Sequence, residues 1–281
     1  MEFYQTAKLD ENLYVIVDIV SRDVFPVQNY VIVGTERAAI IDTGLGIGDI
    51  RAVVRTLTDL PIIALHTHAH LDHTGGDQLF DDNYLNPIER VPSGQETTAQ
   101  HAAKGHLLAG FAGGNAELAQ HAAEHLLPSA QITYLPVRDG DTFDLGGGTV
   151  LEAVAIPGHT IGSLAYVDRA GRFAFTGDGI ADIHWFDGDS AFNTVDGFLR
   201  TLDHFTENAH GAERIYAAHL PEPFDLAFIS KLQTSARNII NGSDDPVENA
   251  DYLFLKHGEL RVNRVDDVRI YYKPENILAS A

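Results

Sequence analysis

The chain of 281 residues contains no cysteine, which excludes disulfides, thiolate nucleophiles and sulfur-ligated zinc sites. Any metal would have to sit on His, Asp or Glu. Positive charge is also scarce: 19 Lys and Arg stand against 40 Asp and Glu, a formal net charge of −21 at pH 7. The five lysines, Lys8, Lys104, Lys231, Lys256 and Lys273, form no cluster in sequence. A nucleic-acid backbone calls for clustered Lys and Arg, so nucleic acid is not expected as the main partner. Long apolar runs are missing too, and no stretch approaches the length of a membrane span. The start, Met1-Glu2-Phe3-Tyr4-Gln5-Thr6-Ala7-Lys8, lacks the basic and then apolar plan of a signal peptide. The default expectation is a cytoplasmic protein acting on a small molecule, with no membrane partner. Apolar residues make up 44% and charged residues 21%, the balance of a chain that builds a core.

What the chain does have is histidine in a particular place. Leu65-His66-Thr67-His68-Ala69-His70-Leu71-Asp72-His73-Thr74-Gly75-Gly76 follows the uncharged run Pro61-Ile62-Ile63-Ala64-Leu65, which reads as a short buried strand. Side chains alternate along extended backbone, so His68 and His70 point to one side and can share an ion. Asp72 and His73, at the bend that follows, can reach a second point nearby. Thr74-Gly75-Gly76 gives the backbone room to turn. Imidazole and carboxylate suit zinc or another borderline metal. His66 offers a rival pairing with His68, but only the His68 register has Asp-His at the right offset. His66 is therefore expected to be packed or to support the ligands from behind.

The remaining sequence reads as strands and helices in two halves. Leu13 to Val20 is β-rich, and Tyr30 to Gly34 with Ala38 to Asp42 reads as a hairpin about Thr35-Glu36-Arg37. A helix is expected from about Asp49 to Leu57, apolar at Ile50, Val53, Val54 and Leu57. Residues 93–128 change character and read as a helical insertion beside the site. It opens on the capping-box-like Ser93-Gly94-Gln95-Glu96, is broken at Gly110 to Gly114, and resumes as a helix from Asn115 to Leu127. Its His101, His106, His121 and His125 read mostly as solvated or packed helix residues. Strands are then expected over Gln131 to Leu135, Thr149 to Ile156, Ser163 to Val167, Arg172 to Thr176 and Arg214 to Ala217. Helices are expected near Thr194 to Phe205 and Phe224 to Ile240, with short strands in Tyr252 to Tyr272. No linker separates domains, so a single domain over 1–281 is expected.

Three of the later strands lead into short motifs: Pro157-Gly158-His159-Thr160, Thr176-Gly177-Asp178-Gly179 and Ala217-Ala218-His219-Leu220-Pro221. Each puts a ligand-capable side chain at a strand end, where distant residues can converge at one sheet edge. Alone, each motif is a turn as readily as a site. Their order after His68-x-His70-x-Asp72-His73 is far more specific, and the set resembles the metallo-β-lactamase superfamily from Tyr30 through His219. The resemblance implies an α/β fold, a four-layered αββα sandwich. It also implies that His68, His70 and His159 hold one metal and that Asp72, His73 and His219 hold a second, with Asp178 bridging. Two divalent ions, most readily zinc with manganese or iron as alternatives, would deliver a hydroxide to a carbonyl or phosphoryl centre, with Asp72 orienting it.

This chain departs from the pattern in places. Ala218 stands where many relatives carry glycine, and Ala181 stands where lactonases of the family carry tyrosine three positions after the bridging aspartate. The absence of paired Lys or Arg near His219 favours an uncharged ester, lactone or thioester over a carboxylate-bearing substrate. His184, Trp185 and Phe111 are candidates for substrate contact, along with Phe186, Phe192 and Phe224, although the aromatic residues read as core just as well. The competing expectation is a mononuclear iron oxidoreductase on the same fold, similar to a persulfide dioxygenase, which would not need His219.

Overall fold

The computed structural model describes residues 3–23, 25–89, 108–128, 130–186, 194–247 and 260–278. The expected capping box at Ser93, as well as His101, His106 and Phe192, lies outside them. The chain divides into two compact units, Met1–Leu151 and Glu152–Ala281.

The first unit is built on a seven-stranded sheet in sequential order: β1 (Tyr4–Lys8), β2 (Leu13–Asp18), β3 (Gln28–Val33), β4 (Ala38–Ile41), β5 (Ile62–Leu65), β6 (Asp82–Leu85) and β7 (Leu135–Pro136). The first four strands pair antiparallel, and β4 through β7 pair parallel. Parallel neighbours need a crossover, supplied between β4 and β5 by helix α1 (Ile50–Arg55). The Asp49 side chain caps α1 by accepting the Ala52 N–H at 2.8 Å. Ile50, Val53 and Val54 of α1 join Ile16, Val31, Ile40 and Ala64 of the sheet in one core, together with Ala122 of helix α2 (Ala116–Glu124). The residues of β4 and β5 are all buried, consistent with their continuous apolar sequences. Beyond β7 the chain forms β8 (Thr142–Gly146), and the boundary between the units falls inside β9 (Thr149–Ala155).

The second unit continues from β9 into β10 (Leu164–Asp168), β11 (Phe173–Gly177) and β13 (Arg214–Ala217), arranged β13-β11-β10-β9. Strand β12 (Ile183–Phe186) instead pairs with β15 (Val268–Tyr272), which pairs with β14 (Arg261–Val265) in a small separate sheet. Helices α3 (Val195–Asn208) and α4 (Leu226–Asn241) share a core with the strands. Phe198, Leu202, Phe205, Ile229, Leu232 and Ile239 pack there with Val154, Val167 and Ile215. Each large side chain removed from water in this way contributes roughly 1.5–3 kcal/mol. Thr194 and Asp225 cap the two helices, accepting N–H groups of Gly197 and of Ala227 and Phe228.

Several expected elements are corrected. The strand expected over Gln131 to Leu135 reduces to Leu135–Pro136, the only residues there that pair with β6. Tyr134 turns aside to hydrogen-bond Asp77, and Pro136 has no N–H with which to extend a ladder. Strands β1, β6, β8 and β12 were not expected. β1 exposes all but its first residue, and β6 reads Asp-Asn-Tyr-Leu, whose first two residues resemble a turn. Tertiary pairing overrides that weak propensity.

Candidate metal centre

In the first unit, β4 and β5 run parallel and end together, so the loops that leave them lie side by side. The Thr43 N–H donates to the His73 carbonyl at 2.8 Å, and the Gly75 N–H donates to the Gly44 carbonyl at 2.8 Å. The loops touch so closely that a Cβ on Gly75 would lie 2.3 Å from the Leu45 carbonyl carbon, and one on Gly76 would lie 2.7 Å from the Thr43 carbonyl oxygen. Only glycine fits at either position. The histidine loop is thereby pinned against the Asp42 turn, where Asp42 itself adopts a left-handed φ of 59°.

This pinning gathers His68, His70, Asp72 and His73. The His68 ring centroid lies 4.6 Å from that of His70 and 4.0 Å from that of His73. His73 Nε2 is 3.6 Å from Asp72 Oδ2. His68 and His73 are buried at 1% exposure, whereas His70 is exposed. Asp42 orders the two buried rings. It accepts the Thr67 N–H on Oδ1 and the Thr67 hydroxyl on Oδ2, each at 2.8 Å. Its Oδ2 also lies 2.8 Å from His73 Nδ1, which therefore carries the proton and leaves Nε2 as the lone-pair donor. Because the Thr67 hydroxyl proton is committed to Asp42, its oxygen accepts from His68 Nδ1 at 3.1 Å. His68 likewise presents Nε2 as a base. One carboxylate and one hydroxyl thus fix the tautomers of two imidazoles as metal ligation requires. From the other side, Glu89 Oε2 accepts the Ala69 N–H at 3.0 Å.

His66 is not among the gathered residues. It is fully buried, with Nε2 at 3.2 Å from Asn83 Oδ1 and 3.3 Å from Asp77 Oδ1. Asp77 also accepts the hydroxyls of Thr43 and Tyr134, each at 2.5 Å. Burial raises the Asp77 carboxyl pKa, and His66 together with the two hydroxyls opposes that rise. His66 therefore supports the loop from behind. Asp42, Thr67, Asp77, Asn83, Glu89 and Tyr134 were missed in sequence. The only available signal was Asp42 closing a strand before Thr43-Gly44, a pattern that reads equally well as a turn.

In the second unit, β11 and β13 run parallel, so the residues just past their ends meet at one edge. Asp178 directly follows β11, and His219 lies just beyond β13. His159 comes from the loop after β9, where the Thr201 hydroxyl donates to the Pro157 carbonyl at 2.6 Å and anchors the loop to α3. The result is an ordered trio: Asp178 Oδ2 lies 3.4 Å from His159 Nε2, and Asp178 Oδ1 lies 3.2 Å from His219 Nε2. One carboxylate thus presents a different oxygen to each imidazole. The Asp178 turn is closed by two bonds: Gly179 N–H to the Thr176 carbonyl, and Thr176 hydroxyl to the Ile180 carbonyl, each at 2.9 Å.

His184 is buried in the same unit at 4% exposure. Its Nε2 accepts the Ala181 N–H at 3.0 Å, and its ring lies 4.0 Å from that of Phe198. Desolvation first, and the neighbouring His159 charge second, lower its pKa to about 3, so the ring is neutral. Phe111 lies in the core of the first unit, 7% exposed and stacked on Phe25 at 5.8 Å. Trp185 belongs to β12, opposite Tyr271. Phe186 is core at 1% exposure, and Phe224 packs against the core beside Phe228.

These features are those of a metal-binding α/β protein. The model of the metallo-β-lactamase superfamily matches residues 22–224, and the chain belongs to that superfamily. Among curated relatives, the acyl-coenzyme A thioesterase MBLAC2 of Homo sapiens is 25% identical over 228 residues, covering 65% of this chain and 74% of the relative. The Gallus gallus protein of the same name is 26% identical over 223 residues, covering 65% and 73%. Among solved structures, the metallo-β-lactamase family protein TTHA1429 from Thermus thermophilus aligns with a TM-score of 0.56 at 22% identity, covering 85% of each chain. A metallo-β-lactamase from Pontibacter korlensis aligns at 0.54 and 17% identity, covering 84% of this chain and 99% of its own. The α/β sandwich expected from the sequence is thus the fold of this chain. No described helix is long and apolar enough to cross a membrane.

Proposed function

We propose that this protein is a metal-dependent hydrolase of acyl thioesters, with both units forming one catalytic domain. In this reading His68, His70 and His159 hold one divalent ion. Asp72, His73 and His219 would hold a second, and Asp178 would contribute its carboxylate to both. The observation that carries the proposal is the posture of Asp178, whose two oxygens face two different imidazole nitrogens at 3.4 and 3.2 Å. The donor set of imidazoles and carboxylates is one that zinc accepts, and Asp42 and Thr67 have already set the tautomers on the first-unit side.

Divalent ions held by this set would lower the pKa of a bound water toward neutrality and would act as Lewis acids on the substrate carbonyl. The protein's own groups do the rest. Asp72, partly exposed, accepts a hydrogen bond from the attacking water and passes the proton to the leaving sulfur. The buried Asp42–Thr67 pair keeps His68 and His73 from rotating during the reaction. Hydrolysis replaces the acyl–sulfur bond with an acyl–oxygen bond; water provides hydroxide to the acid and a proton to the thiol. The choice of a thioester among ester, lactone and thioester rests on the relatives that bear the name acyl-coenzyme A thioesterase.

Two measurements test the reading. Protein purified without chelator or histidine tag should contain about two zinc or manganese equivalents per chain by plasma mass spectrometry. The same preparation should release free thiol from octanoyl-coenzyme A. One iron equivalent with oxygen consumption would replace the proposal with the oxidoreductase reading. Metal-loaded protein that releases no thiol would sink the thioesterase assignment.

A further inference from the structure

Lys and Arg number only 19 in this chain against 40 Asp and Glu, yet the second unit sets two arginines face to face. In the antiparallel pair of β14 and β15, Arg264 lies directly opposite Arg269. Directly opposed side chains stand about 5 Å apart at Cβ, where like charges destabilise a sheet. The alternate residues of β15, Val268, Ile270 and Tyr272, belong to the core, so both arginines project from the other face. Arg264 is exposed and forms no ion pair among the described residues. Of the two acids at the hairpin tip, Asp267 bonds Lys231 at 2.7 Å, and among the described residues Asp266 forms no ion pair with Arg264 or Arg269. Arg269 is held in place by Asp182: its Nη2 donates to Oδ2 at 3.0 Å, and its main-chain N–H donates to the Asp182 carbonyl at 2.8 Å. On the same face Ile183 of β12 pairs with Arg269. Asp182 stands four residues past Asp178, so their Cα atoms are at most about 14 Å apart. The opposed arginines are thereby tied to the segment that leaves the candidate metal ligand Asp178.

We propose that Arg264 and Arg269 bind the phosphate groups of a coenzyme A thioester. The proposal rests on the hydrolase reading above and deepens it by naming the groups that recognise the coenzyme. A guanidinium presents a planar fork of N–H donors that matches phosphate oxygens, and two opposed guanidiniums lose their mutual repulsion when an anion lies between them. Asp182 takes one N–H of Arg269 and fixes the plane of its fork. The other donors of Arg269 and the whole fork of Arg264 are left for the ligand. In coenzyme A the pantetheine arm separates the phosphates from the thioester, and an extended arm covers a distance of the order that separates Asp182 from Asp178. At −21 the chain repels such a ligand from afar, so its affinity has to come from cations at contact distance. The acyl end carries no charge and needs no cation beside the metal ligands.

The test compares two substrates that share a thioester and differ in phosphate: octanoyl-coenzyme A and the octanoyl thioester of N-acetylcysteamine. At one fixed ionic strength, Arg264→Glu should raise KM for octanoyl-coenzyme A about tenfold, with kcat, metal content and circular dichroism unchanged. Arg264→Gln, which removes the charge without reversing it, should raise KM by about three- to fivefold. Neither variant should alter kcat or KM for the N-acetylcysteamine thioester. An unchanged KM for octanoyl-coenzyme A in Arg264→Glu, or an equal rise for the uncharged substrate, would overturn the inference. Equilibrium binding of the adenosine bisphosphate portion of the coenzyme, which has no thioester, reads the site even if no thiol is released. The wild type should bind it, and Arg264→Glu should bind it about tenfold more weakly. That pattern in a wild type without thioesterase activity overturns only the hydrolase reading. A wild type that does not bind the bisphosphate, or inorganic phosphate that competes as strongly as the bisphosphate, overturns the assignment to the coenzyme.

Discussion

The two units carry their ligand-capable residues in opposite ways. The first packs His68, His70, Asp72 and His73 into one loop and braces that loop with buried side chains from Asp42, Thr67, His66 and Asp77. The second brings His159, Asp178 and His219 from three separate strand ends, and bonds to main-chain carbonyls hold two of the loops. A contiguous cluster needs polar bracing because neighbouring residues on a bend have no strand of their own to fix them. A dispersed trio inherits its spacing from the sheet. The difference separates errors of register, which would damage the first set, from errors of topology, which would damage the second.

The largest effect is expected from removing one member of each set. His70→Ala and Asp178→Asn should both reduce thiol release to background while circular dichroism stays native. Retained turnover in either variant would show that its half of the set is dispensable. Next in size is a difference in pH response between the units. Asp18 in the first unit is fully buried, its Oδ2 has no partner among the described residues, and desolvation raises its pKa to about 7 from 3.8. Its native carboxyl binds a proton more tightly than the unfolded one. Its stabilising contribution is therefore complete below about pH 4 and is lost as pH rises through 7, by on the order of 4 kcal/mol. His184 behaves in the opposite sense: with its pKa lowered to about 3 from 6.5, its contribution is complete above pH 6.5 and is lost as pH falls toward 3. Thermal melts should show Asp18→Asn raising the melting temperature at pH 8 and leaving it unchanged near pH 4. An equal gain at both pH values would refute the assignment.

A smaller effect tests the bracing itself. Asp42→Ala should weaken metal affinity by about 10–100-fold, measured by competition with a chromogenic chelator. Thr201→Val, which removes one anchor of the His159 loop, should cost less than Asp42→Ala, because the strand end still places the loop. The reverse ranking would contradict the idea that the contiguous set depends more on its side-chain support. The smallest expected effect concerns charge. At −21 the chain repels a polyanionic coenzyme A thioester, so kcat/KM for octanoyl-coenzyme A should rise roughly two- to threefold between 20 and 200 mM salt. An uncharged thioester of N-acetylcysteamine should show no such rise.

How much was legible depended on whether the signal was local. Ile62 to Leu65, Ala38 to Asp42 and the α1 segment were readable because an apolar run or an apolar periodicity is a property of neighbouring residues. Strand β6 was not, because Asp82 and Asn83 read as a turn until Asn83 is seen buried against His66 and the carbonyls of Asp77 and Phe80. The sequence around Tyr134 reads as strand, yet its hydroxyl is committed to Asp77, a partner far away in sequence. In sequence Phe111 fits a substrate contact as well as core, and its burial and its stack on Phe25 place it in the core.

The ligand-capable loop is a local property of the chain: the alternation of His68 and His70, the Asp72-His73 offset and the glycines at Gly75 and Gly76 are all set by backbone geometry over a few residues. The sequence by itself also ruled out thiolate ligation, simply because cysteine is absent. The tertiary structure alone decided which nitrogen each buried imidazole presents. A tautomer is chosen by the partner of the other nitrogen, and for His73, His66 and His184 those partners are Asp42, Asn83 with Asp77, and the Ala181 N–H. For His73 and His66 the partners are distant in sequence and come within reach only when parallel strands end side by side. For His184 the partner is local, and the turn after β11 brings it into line.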